Sequence, residues 1–142
     1  MALVFALAGG AAPAPAATGA SVEVSVTSLR STRGKVIACL TPYARGFPKC
    51  AGANVQEITV AADSRELRFA FTGVAPGRYA IALLHDENGN GRMDKSMLLI
   101  PKEGYGFSRD APVRMGPPKF DAAAFDVTTQ DVRQTIRMRY MV

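Results

Sequence analysis

Residues 21–28 read SVEVSVTS, with Val22, Val24 and Val26 alternating against Glu23, Ser25 and Thr27. Successive side chains of an extended chain point to opposite faces, so a period of two describes a half-buried β-strand and not an amphipathic helix. The signal recurs. Residues 35–41 set Val36, Ala38 and Leu40 against Ile37 and Cys39, residues 55–61 form a third run, and residues 65–71 align Leu67, Phe69 and Phe71. Residues 78–85 are apolar on both faces, with Tyr79, Ile81 and Leu83 opposite Ala80, Ala82 and Leu84, which predicts a central strand. Pro76-Gly77 before it is a turn signal. Shorter runs follow at residues 96–100, 122–128 and 132–142; in the last, Val132, Gln134, Ile136, Met138, Tyr140 and Val142 share a face. No stretch sustains a helical period beyond a turn at residues 121–124, and no internal repeat is present. About seven short strands punctuated by turns predict an all-β fold: a single antiparallel β-sandwich, Greek-key connected and prealbumin- or Ig-like.

The chain divides into residues 1–20 and 21–142. The first part, MALVFALAGGAAPAPAATGA, carries no charged side chain, and its apolar stretch runs into Ala, Pro and Gly. It is expected to be a signal peptide, with cleavage before Ser21 or near Ala16; a disordered Ala/Pro-rich leader is the alternative. A basic n-region is missing, which leaves the natural start open. The apolar run is far shorter than the roughly 20 residues needed to cross a bilayer, so no integral span is expected in the mature chain. The remaining residues suffice for one core without a metal or cofactor. A periplasmic or secreted location follows.

Two cysteines are present, Cys39 and Cys50. In an oxidising compartment such a pair forms a disulfide, closing a loop of about 12 residues and contributing roughly 3 kcal/mol in the chain-entropy description. The alternative is two free thiols, though neither belongs to a Cys-x-x-Cys motif. The net charge is +5, with basic residues scattered among acidic ones. The densest group, Arg133, Arg137 and Arg139, falls on one face of a strand pattern, so nucleic-acid binding is not expected.

Residues 85–94, HDENGNGRMD, are the most chemically dense stretch. Calcium takes six to eight oxygens, often from alternating loop positions with a glycine at the sharp turn. Asp86, Asn88 and Asn90 stand at positions 1, 3 and 5 of such a loop, Gly91 at 6, the Arg92 carbonyl at 7 and Asp94 at 9. At position 12, where a bidentate Glu belongs, stands Met97. Any further ligand must come from elsewhere, Glu103 or water, and the site would be weak. The metal-free reading is equally physical. Asn-Gly is a favoured hairpin turn, and Asp and Asn side chains bond back to their own backbone. Both readings stay open. His85 is the sole histidine; zinc would need three or four N or S ligands, so a structural role is expected for it.

HDENGNGRMD, followed by IPKEGYGFSRDA and GPPKF, resembles the bacterial exported family known as domain of unknown function 2141. GVAPGRYAIALLHDENGNG is similar to its Pro-Gly turn and central strand, and FDAAAFDV to its penultimate strand. The resemblance covers roughly residues 22–138. It implies a single secreted or periplasmic β-sandwich without known activity, and supplies no catalytic residue.

Residues 101–120 hold four prolines and three glycines among aromatics. Lys102, Glu103, Tyr105, Phe107 and Arg109 either form a ligand surface beside the acidic loop or, with the rings tucked in, cap the core. The leading expectation is a non-enzymatic exported module whose loops at residues 85–120 form a binding face or a calcium-stabilised one, with an envelope glycan, a protein or a small ligand as partner. A purely structural envelope domain without metal is the second. A hydrolase built on His85, Asp86 and Glu103 is the remote third, for want of a nucleophile motif.

Overall fold

The structure, a computed structural model, describes residues 19–91 and 103–141. Residues 1–18 of the expected leader, the expected strand at residues 96–100, and the expected site residues Arg92, Asp94 and Lys102 lie outside the described residues, while Ala20, placed in the leader, opens the first strand and is buried. Among the described residues the chain is all-β, with eight strands and a single turn of α-helix.

β1 (Ala20–Thr27), β4 (Leu67–Val74) and β8 (Val132–Arg137) form one sheet in the order β4-β1-β8. β2 (Lys35–Thr41), β3 (Gln56–Ala61), β5 (Gly77–Asp86) and β6 (Gly104–Phe107) form the other in the order β3-β2-β5-β6. β7 (Phe125–Val127) pairs with the first three residues of β5. The expectation of purely antiparallel strands is corrected at one place: β8 runs parallel to β1, with Val22 beside Val132 and Val26 beside Ile136. The physical reason is connectivity. A parallel neighbour needs a long crossover, and β1 and β8 are the first and last strands, separated by the whole second sheet.

The alternation read from the sequence is what makes the core. Val22, Val24 and Val26 of β1 are fully buried and share one hydrophobic cluster with Val36, Ala38 and Leu40 of β2, Phe71 of β4 and Ile81 and Leu83 of β5. Both sheets therefore contribute to a single interior. Fully burying each such side chain stabilises by about 1.5–3 kcal/mol.

β5 is central, as its two apolar faces predict. Tyr79, Ile81 and Leu83 enter the main core. The opposite face starts a second, smaller core, where Ala80 meets Tyr105, Phe107, Phe120, Ala123 and Ala124, with Phe47 packed against them. Ser108 stitches this core together. Its buried hydroxyl accepts from the Ile81 N–H (2.8 Å) and donates to the carbonyl of Ala123 (2.5 Å), at the end of the helical turn α1 (Phe120–Ala123). Cys39 and Cys50 form a disulfide that ties β2 to the loop after it.

Candidate functional site

β5 ends at the start of the acidic stretch, where the β1–β2 connection and the C-terminal segment converge on it. His85 is fully buried. Its Nε2 lies 2.8 Å from the Arg33 carbonyl and its Nδ1 2.6 Å from the Tyr140 hydroxyl. A carbonyl only accepts, so Nε2 carries the hydrogen, and in the neutral ring Nδ1 accepts from the Tyr140 O–H. The Tyr140 oxygen in turn accepts from the Arg30 backbone N–H (3.2 Å). Burial holds the Tyr140 hydroxyl above its ordinary ionisation range, against the lowering effect of that Arg30 bond, so it stays a donor. The Arg30 guanidinium lies 4.5 Å over the Tyr140 ring.

Glu87 is the hub of the charged part. Arg30 donates to it from Nε (3.0 Å) and from Nη2, the Ser31 hydroxyl donates at 2.7 Å, and Arg33 Nη2 at 3.3 Å. Burial alone would raise its pKa. The hydrogen bonds from Arg30 and Ser31 and the charge of Arg30 outweigh that and bring it down to about 2.

Asp86 is fully buried but turned away from His85. Its Oδ1 accepts from the Asn90 N–H (3.2 Å) and its Oδ2 from the Gly91 N–H (2.5 Å). Asn88 Oδ1 accepts from the same Asn90 N–H at 3.1 Å. Two of the oxygens expected to face a cation thus converge, but on a backbone donor. This is the Asx-turn chemistry of the metal-free reading, and Gly89 and Gly91 supply the positive φ that it requires. Among the described residues, no three His, Cys, Asp or Glu side chains gather as a metal cage.

Glu103 is buried, 4 % exposed. Its Oε2 accepts from the Glu87 N–H (3.1 Å), which fastens it to the acidic loop, while Oε1 has no hydrogen-bond partner among the described residues. Tyr105 and Phe107 are each 4 % exposed and sit in the second core. Of the two arrangements open for these rings, the tucked one is formed and the exposed ligand surface is not: they alternate in the same sense as Ala82 and Leu84, their partners on β5, and face the Phe47–Phe120 layer. The glycines between them work by size, not by turning. A Cβ on Gly104 would stand 2.3 Å from the Tyr140 ring, and one on Gly106 2.7 Å from Ile136. Their absence lets the C-terminal segment close onto β6, where Tyr105 and Arg139 exchange backbone bonds of 3.0 and 2.9 Å. Arg109 is exposed on a left-handed turn, its N–H held by Gln134 at 2.8 Å.

The expected residues are thus brought together only in part. Asp86, Asn88, Asn90 and Glu103 share one end of the molecule. Arg30, Ser31, Arg33 and Tyr140, which complete that end, were invisible to sequence spacing, because they lie 52–57 residues from their partners. A shallow hollow lined by Phe47, Pro117, Pro118 and Phe120 shares none of these residues.

A family model described as "Uncharacterized protein conserved in bacteria (DUF2141)" matches residues 24–135. Neither the curated proteins nor the solved structures contain a match to this chain.

Proposed function

We propose that this chain, which belongs to the DUF2141 family of uncharacterized bacterial proteins, is a non-enzymatic module exported to the periplasm or beyond. In this reading its two sheets pack as a sandwich of prealbumin- or Ig-like character with Greek-key connections, and it acts through its loop end. The sandwich reading is supported by the single interior to which both sheets contribute. Export is supported by the Cys39–Cys50 disulfide and by the uncharged Ala/Pro-rich leader. No helix among the described residues is long and apolar enough to cross a membrane.

One observation carries the non-enzymatic reading: both ring nitrogens of His85, the sole histidine, are consumed inside the fold, and the ring is fully buried. A general base must reach the proton that it abstracts. Asp86 and Glu87 are likewise occupied by backbone and by Arg30, Ser31 and Arg33, so the polar end works as scaffolding for the loop. The partner contacts of this reading fall to the exposed residues at positions 88–91 and to Arg109, with an envelope glycan, a protein or a small ligand as partner.

The test is a panel of ester and glycoside substrates with the wild-type protein and His85→Gln. No turnover by either protein is expected, and turnover that disappears in the variant would overturn the reading. Sedimentation with cell-envelope glycan, comparing wild type with an Asn88→Ala, Asn90→Ala, Arg109→Ala variant, addresses the binding face. Retention lost in the variant supports it. A second reading, a purely structural envelope domain without metal, is favoured by the burial of Tyr105 and Phe107, and absence of retention would select it.

A further inference from the structure

Along the antiparallel β5–β6 register Leu84 faces Tyr105 and His85 faces Gly104. Beyond the last paired residues, the same register continued by one step would set Asp86 opposite Glu103, on the same face, and the Glu87 N–H to Glu103 Oε2 bond keeps the two chains together there. The two residues are 0 % and 4 % exposed. Like charges directly opposite one another on a sheet repel, and burial raises the cost of each. Neither has a Lys or Arg ion pair among the described residues. Among the described residues Asp86 is compensated by two backbone N–H groups, one on each oxygen. Glu103 is compensated less, by the Glu87 N–H on Oε2, and its Oε1 has no partner among the described residues. A buried carboxylate oxygen without a partner is rare in folded proteins, because its desolvation is not repaid.

We propose that Asp86 and Glu103 together bind one hard divalent cation, calcium before magnesium, at the base of the acidic loop. The donors are oxygens only, which selects a hard ion over zinc or copper. Asn88 Oδ1, which shares the Asn90 N–H with Asp86 Oδ1, stands close enough to add a neutral ligand. Water completes a calcium shell, whereas magnesium demands a stricter octahedron. With two carboxylates the site belongs at the weak end of calcium binding, about 10⁻⁴ to 10⁻³ M, the range of extracellular modules. The site keeps Asp86 and Asn88 from the sequence expectation and takes its second charge from Glu103. It stands whether or not the domain is exported or holds a partner.

The experiment is a thermal melt of the protein with chelator and with 10-fold steps of calcium chloride up to about ten times the upper end of that affinity range. A rise of about 5 °C is expected for the wild type. Glu103→Gln, which keeps the shape and removes the charge, should lose the rise, while Glu57→Gln on the exposed face of β3 should keep it. Terbium emission excited through tyrosine serves as a direct reading on the wild type, since Tyr105 lies two residues from Glu103; calcium should displace it and magnesium should do so poorly. A rise that survives in Glu103→Gln would place the ion elsewhere and overturn the proposal. So would a calcium-independent melt together with Glu103→Gln more stable than wild type, the result expected if the pair carries a shared proton in place of a cation.

Discussion

Replacing Glu87 with Gln preserves its size and removes the charge around which Arg30, Ser31 and Arg33 gather. Its carboxyl is held at about 2, against an ordinary 4.5. At about 1.4 kcal/mol per pH unit this corresponds to about 3 kcal/mol of stability at neutral pH. The two arginine partners are 37 % and 74 % exposed, and solvent screening of their charges reduces the figure to about 1–2 kcal/mol. The folded-state value lies below the unfolded one. The contribution is therefore complete above 4.5, declines as the pH falls from there to about 2, and is absent below. Urea unfolding followed by circular dichroism should show Glu87→Gln less stable than wild type by about 1–2 kcal/mol at neutral pH. The gap should narrow as the pH is lowered through that window. A gap of the same size at pH values above and within the window, or a Gln variant as stable as wild type at neutral pH, would refute the electrostatic reasoning.

Tyr140→Phe removes the donor to His85 Nδ1 and the acceptor of the Arg30 N–H; a loss of about 1–3 kcal/mol is expected in thermal or urea unfolding. Gly104→Ala would drive a methyl group into the Tyr140 ring, and a loss of about 1–3 kcal/mol should appear in the same assay. The paired change Cys39→Ala, Cys50→Ala opens the disulfide and should cost roughly 3 kcal/mol, read as a lowered urea midpoint.

The strands were legible because burial imposes a period of two that the sequence records locally. Val22, Val24 and Val26 mark the inner face of β1, and the doubly apolar run of β5 marks a strand covered on both sides. The partner of β8 was not legible: a parallel pairing between the first and last strands leaves no short-range trace. At the polar end, Asp86 and Asn88 were identified because turn chemistry is local. Arg30, Ser31, Arg33 and Tyr140 were missed because the groups that satisfy a buried carboxylate or imidazole can come from anywhere in the chain. Gly104 and Gly106 make room for Tyr140 and Ile136, which only the packed structure shows.

The central claim is that His85 is a buried strut of the loop end and not a reactive group. Nitrogen-15 spectroscopy of the imidazole in the intact protein tests it most directly. A single Nε2–H tautomer is expected, with a resolved, slowly exchanging Tyr140 hydroxyl proton coupled across to Nδ1 and lost in Tyr140→Phe. A ring that mixes both tautomers and exchanges freely with solvent would contradict the account and return His85 to the list of groups available for chemistry.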